Sequence, residues 1–128
     1  MRLLLDTCTF LWMVSDPDRL SKEAASKLVD PENEVLLSAA SAWEIAVKYE
    51  LGKLALDRSP ERYVPEERMR HGVTPLAVDE EATLHLHRLP AVHRDPFDRI
   101  LVCQALAGSL SLVTPDPHIA RYPVRIVW

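Results

Sequence analysis

Arg2-Leu-Leu-Leu-Asp-Thr7 is a short apolar run closed by an acid. Arg2-Leu-Leu-Leu5 reads as a buried strand, with Asp6-Thr7 at its carboxyl end. In an open α/β sheet, side chains at that end point into the functional crevice. Asp6 is therefore the first candidate functional residue, and Thr7 stands beside it.

Outward from this strand, helical and extended patterns alternate. Thr7 to Val14 has the look of a short helix, stopped by the turn sequence Ser15-Asp-Pro-Asp18. Ser21 caps a second helical pattern that runs to Val29 through Ala24, Ala25 and Leu28. Glu34-Val-Leu-Leu-Ser38 reads as a strand, and a helix from about Ala40 to Glu50 follows, stopping near Gly52. Beyond a loop from Leu54 to Pro60, a polar helix is expected over Glu61–His71. Val73 to Val78 is a strand interrupted by Pro75, which assigns it to a sheet edge. Asp79 caps a helix reaching His87, and Leu89 to Arg94 is a loop. Asp95 opens the clearest helix, with Phe97, Ile100, Leu101, Gln104, Ala105 and Gly108 as its buried stripe. Short strands at Ser111–Val113 and Val124–Val127 complete the chain. This alternation predicts an α/β fold with a mostly parallel, twisted sheet and helices on both faces.

The chain has 128 residues, suited to one domain spanning 1–128 with a single ordinary core. Hydrophobic content of 48% against 27% charged excludes a disordered or fibrous chain. No apolar stretch approaches the roughly 20 residues that span a bilayer, and Asp6 breaks the first run too early for a signal peptide. A soluble, cytoplasmic protein is expected. The two cysteines, Cys8 and Cys103, are too few for a disulfide framework and read as small buried residues. A net charge of −4 argues against a protein that coats nucleic acid, but not against one that acts on it. Lys48, Lys53, Arg58, Arg62, Arg68 and Arg70 could line a local track or simply be a solvated helix face.

Four acids besides Asp6 call for a choice. Asp6 itself could cap the following helix, a role typically worth about 1 kcal/mol. Asp95-Pro-Phe-Asp98 has the form of a helix start, with Asp95 as cap, Pro96 in the first turn and Asp98 at the third position. One acid suffices for capping, so Asp98 is free to face the crevice and Asp95 reads as structural. Asp116-Pro117 is another possible cap, but the strand before it should deliver Thr114 and Asp116 to the same end of the sheet as Asp6. Glu44 could pair with Lys48 one helical turn on, or face inward with its apolar neighbours Trp43 and Ile45. Two carboxylates about 4 Å apart repel by about 4 kcal/mol at an effective dielectric of about 20. A fold that gathers several of them needs compensation by protons or a cation, and all-oxygen ligation favours Mg²⁺ or Mn²⁺ over Zn²⁺. The histidines supply no metal pair: His85 and His87 are two apart on a helix, and His71, His93 and His118 are isolated.

With these residues identified, the chain resembles the PIN-domain family, and within it the VapC-type ribonuclease toxins of prokaryotic toxin–antitoxin pairs. The resemblance rests on Leu3-Leu-Leu-Asp-Thr7 with Leu11-Trp12, Ser38-Ala-Ala-Ser-Ala-Trp-Glu-Ile-Ala-Val-Lys48, Leu51-Gly-Lys-Leu54, His93-Arg-Asp-Pro-Phe-Asp-Arg-Ile-Leu101 with Gln104-Ala105, and Leu112-Val-Thr-Pro-Asp-Pro117. It implies a three-layer α/β/α fold whose catalytic and metal-holding acids fall on Asp6, Glu44, Asp98 and Asp116, with Thr7, Thr114 and Asp95 in support. Cys8 departs from the His that close relatives often carry there. The resemblance further implies metal-assisted hydrolysis of an RNA phosphodiester, inhibition by a VapB-type antitoxin, and homodimerisation. A housekeeping PIN nuclease without antitoxin and a non-catalytic PIN binding module are the alternatives. A phosphatase of the haloacid dehalogenase type is rejected, because it needs a second Asp two residues after the first, where Cys8 stands.

Overall fold

The computed structural model describes residues 1–128. In chain order the elements are β1 (Arg2–Leu5), α1 (Thr7–Ser15), α2 (Lys22–Val29), β2 (Glu34–Ser38), α3 (Ala39–Glu50), α4 (Pro60–Arg70), β3 (Thr74–Leu76), α5 (Glu80–Leu84), α6 (Pro96–Gly108), β4 (Ser111–Val113) and β5 (Ile126–Val127). Short 3₁₀ turns lie at Pro17–Arg19, His85–Arg88 and Ile119–Arg121. The strands form one sheet in the order β3-β2-β1-β4-β5, and all its pairings are parallel. β1 is the central strand. The strand order reverses between β1 and β4, because the chain first builds β2 and β3 on one side and then returns to the other. That switch point opens the crevice in which open parallel sheets bind ligands.

The three consecutive leucines explain the layering. Successive strand side chains alternate between faces, so Leu3 and Leu5 enter one core and Leu4 the other. Leu3 and Leu5 meet Val35, Leu37 and Val113 together with Phe10 of α1, Ala24 of α2, Ile45 of α3, and Tyr63 and Val64 of α4. Leu4 meets Leu36 and Leu112 together with Leu101, Val102 and Ala105 of α6 and with Ile119 and Tyr122. The three leucines are completely buried. The chain is thus a three-layer α/β/α sandwich.

Local sequence places the helix starts. Asp6, Ser21, Asp79 and Asp95 each accept a backbone N–H from the first turn of the helix they precede. Asp95 takes two, from Phe97 at 2.9 Å and Asp98 at 3.1 Å. β3 lies at the sheet edge, as Pro75 requires.

Four expectations need correction. The strand expected over Val73–Val78 is confined to Thr74–Leu76. β5 is only half the expected length, because the Val124 N–H is spent in a turn to the Tyr122 carbonyl at 2.8 Å. The helix capped by Asp79 ends at Leu84 and tightens into a 3₁₀ turn over His85–Arg88 just ahead of Pro90. On α6 the fully buried residues are Leu101, Val102, Cys103, Gln104 and Ala105, whereas Phe97 and Ile100 are half-buried and Gly108 is exposed. The helix packs against α3, α5 and the 3₁₀ turn as well as β4, so its covered face is wider than one stripe. No helix is long and apolar enough to cross a membrane.

Because Asp95 satisfies two of the helix's orphan donors, Asp95→Ala should lower stability by about 1 kcal/mol, and Asp95→Ser should recover most of it. Urea unfolding of the three proteins measures this.

Candidate active site

The carboxyl ends of β1 and β4, with the starts of α1, α3 and α6, bring the sequence-derived acids to the same end of the sheet. Asp6 directly follows β1 and is 4% exposed. Its Oδ1 accepts the Thr9 amide at 2.8 Å, which makes it the cap of α1. Its Oδ2 accepts the Thr114 hydroxyl across the switch point. The two readings of Asp6 were therefore never alternatives, since one oxygen serves the helix and the other the site. Thr114 is fixed in direction because its hydroxyl oxygen accepts the Asp116 amide at 3.0 Å, which turns its proton toward Asp6.

Glu44 is likewise both things at once. It is buried inside α3, Oε1 accepts the Thr7 hydroxyl at 2.6 Å, and Oε2 is held by the Lys48 ammonium one turn on. Asp98 sits in the first turn of α6, and its Oδ2 lies 3.0 Å from His93 Nε2. Asp116 accepts the His118 amide at 2.8 Å and lies 3.2 Å from the His118 ring through the same Oδ1.

The fields of these groups reach one another. Burial, and then the charges of Asp95 and Asp116, push the Asp98 carboxyl up to about 6, against the hydrogen bond from His93, which lowers it. Burial followed by the Asp6 charge pushes the Cys8 thiol up to about 12, with a smaller contribution from Asp116. The Lys48 ammonium is raised, first by its hydrogen bond to Glu44, with added pull from Asp95 and Asp98. No three of the acids, histidines and cysteines converge as ligands around one point. Each acid is instead held by a protein donor of its own.

Several residues here escaped the sequence reading. Cys8 is only partly buried, and its thiol lies 3.3 Å from Asp6 Oδ1, so it is a donor at the site rather than core. His93 and His118 are not isolated: their rings stack at 5.5 Å and 10°. Their separation of 25 positions along the chain left no local signal of that contact. Of the residues that could have lined a basic track, Arg58, Arg62 and Arg70 are instead paired internally with Asp57, Glu66 and Glu67.

A profile of the PIN domain matches residues 3–124, and the chain belongs to the PIN-domain family. It is 38% identical over 110 residues to ribonuclease VapC16 of Mycobacterium tuberculosis, covering 83% of this chain and 74% of that protein. Among solved structures it is similar to VapBC2 from Rickettsia felis bound to a DNA fragment from its promoter, at 15% identity and a TM-score of 0.74, covering 98% of this chain and 97% of that one. It is also similar to DNA-bound VapBC from Salmonella typhimurium, at 19% identity and a TM-score of 0.70, covering 98% and 96%. VapBC-1 from nontypeable Haemophilus influenzae gives 18% and 0.66 with the same coverage. At such identities the solved structures bear on the fold alone.

Asp98 gives this centre a pH signature. Its folded-state pKa is raised from 3.8 to about 6, so the folded protein binds a proton more tightly than the unfolded chain does. Its contribution to stability is present at pH 4 and is lost as pH rises through about 6. In chelator, Asp98→Asn should therefore stabilise the protein at pH 7 by about 1–3 kcal/mol and leave it nearly unchanged at pH 4. Denaturant unfolding at both pH values checks this; equal shifts at the two would contradict it.

Proposed function

We propose that this chain is a divalent-metal-dependent endoribonuclease and the toxin of a VapBC-type pair, acting in the cytoplasm as a homodimer. The observation that carries the reading is the set Asp6, Glu44, Asp98 and Asp116 at one end of a parallel sheet, in a chain whose 38%-identical relative is a ribonuclease. The donor chemistry fits a hard cation, because all four acids offer oxygen. Asp6, Asp98 and Asp116 would hold Mg²⁺ or Mn²⁺, with Glu44 in support. When bound, the ion supplies a water of lowered pKa and positive charge for the scissile phosphate.

The chain's own residues then have defined tasks. Thr114 and the Thr9 amide hold the Asp6 carboxylate in one orientation. Thr7 and Lys48 hold the two oxygens of Glu44 and fix that carboxylate in direction, and Glu44 would orient the water or help hold a second ion. RNA specificity would come from unpaired bases in loops, since side chains do not read the deep groove of an RNA duplex.

The antitoxin partner follows from the VapC-type reading, whose 38%-identical relative is ribonuclease VapC16; the solved structures that share the fold are VapBC complexes. An Arg or Lys inserted by such a partner would compete with metal for the same acids. Trp43 is 65% exposed and Tyr49 38%, apolar surface of the kind an interface needs. Leu28 packs against the core instead, and Trp12 is covered by Trp128 and Arg19.

The purified protein is expected to cleave RNA with Mg²⁺ or Mn²⁺ and to stop in EDTA, and Asp6→Asn and Asp98→Asn should each lose cleavage. Mapping cut sites on total RNA with wild type and Asp98→Asn side by side measures this and names the substrate. Full activity in EDTA or in Asp98→Asn would overturn the reading.

A further inference from the structure

Asp98 is held by a histidine that none of the tasks above uses. His93 Nε2 lies 3.0 Å from Asp98 Oδ2, while its Nδ1 lies 2.8 Å from the Tyr122 hydroxyl. The Arg99 Nη1 is 3.0 Å from the same hydroxyl. A guanidinium can only donate, so it occupies a lone pair of the Tyr122 oxygen and leaves the phenolic proton to be given away. The nearer acceptor is His93 Nδ1, since the His93 carbonyl is 3.5 Å off. With Nδ1 accepting, the neutral ring carries its proton on Nε2, facing the carboxylate. The same Arg99 nitrogen also donates to the His93 carbonyl at 3.2 Å and the Pro90 carbonyl at 3.3 Å, tying the loop before α6 in place. Finally, His118 stacks flat on His93 and itself contacts Asp116. The ring is thus fixed by bonds at both nitrogens and by contact on one face.

We infer that His93 is a positioning residue: the Arg99–Tyr122–His93 chain locks one imidazole tautomer so that it holds Oδ2 of Asp98. Oδ1 accepts no hydrogen bond from the protein and is left for a cation. The inference rests on the metal-dependent reading above for its purpose, though not for its geometry. Outer partners that orient ligating groups typically change metal affinity by about 10–100-fold when lost. His93 and Asp98 differ from Asp6 and Thr114 in this respect, because their link is a local clasp across a loop and a helix start rather than a tie between strands.

Two amide substitutions separate positioning from packing. In His93→Gln the amide nitrogen reaches the place of Nε2, and in His93→Asn it reaches only that of Nδ1. Mn²⁺ binding to the purified proteins, followed by electron paramagnetic resonance, should weaken about 10-fold or more in His93→Asn and within about 3-fold in His93→Gln. Cleavage should follow the same order through kcat, with KM for RNA unchanged. Nitrogen-15 NMR of the metal-free protein should show His93 protonated on Nε2 alone, and Tyr122→Phe should mix the two tautomers. Equal Mn²⁺ affinity in Gln and Asn variants, or an Nδ1-protonated His93 in wild type, would overturn the inference while leaving the nuclease reading intact. Failure of wild type to bind Mn²⁺ or cleave RNA would instead sink both.

Discussion

The hydroxyl of Thr114 accepts the amide hydrogen of Asp116 and gives its own to Asp6, in a place where almost no water reaches Asp6 or Thr114. A buried carboxylate is costly unless its lone pairs are met, so the Asp6 charge is tolerated only while β1 and β4 stay in register. The parallel pairing of Leu5 with Val113 supplies that register, and the Asp6 amide adds a bond to the Val113 carbonyl at 3.2 Å. Sheet and site therefore depend on the same few atoms. A slip of β4 would move every leucine-facing contact to the wrong layer and strand the Asp6 charge at once.

The other acids are treated in the same way, each given a fixed donor of its own. Glu44 has Thr7 and Lys48, Asp98 has His93, and Asp116 has His118. Charges that would otherwise repel are thereby held near one another at a cost the three-layer core can bear. Gln104 performs a parallel service further from the chemistry. Buried in α6, its amide bonds Ser38 at the end of β2 and the Ala77 carbonyl beyond β3. This ties α6 to the carboxyl ends of both strands, and with it the helix that carries Asp98.

Much of this was legible in the chain because the relevant signals are local. Three leucines and an acid mark the central strand, Pro75 marks an edge, and the capping acids mark helix starts. The acids themselves were legible as candidates, since a helix cap and a crevice residue look alike in sequence, and Asp6 and Glu44 proved to serve a structural partner as well. What local pattern could not carry were contacts between distant positions. The His93–His118 stack, the Tyr122 hydroxyl behind His93 and the pairing of α4 arginines with Glu66 and Glu67 depend on how loops and layers close. The buried face of α6 was misjudged for a related reason. A single stripe presumes one neighbour, and this helix has several.

The bond between Thr114 and Asp6 joins positions 108 apart, and it has a consequence for how the protein is made. Contacts this remote in sequence form late, since the intervening chain must first be ordered. A ribosome releases the amino-terminal end first, so Asp6 and Glu44 emerge long before their counterparts on α6 and beyond β4. No chain stopped short of Asp116 holds the whole constellation. Under the proposed activity, the newborn polypeptide stays harmless to the messenger and ribosome producing it until α6 and the segment beyond β4 have emerged and folded.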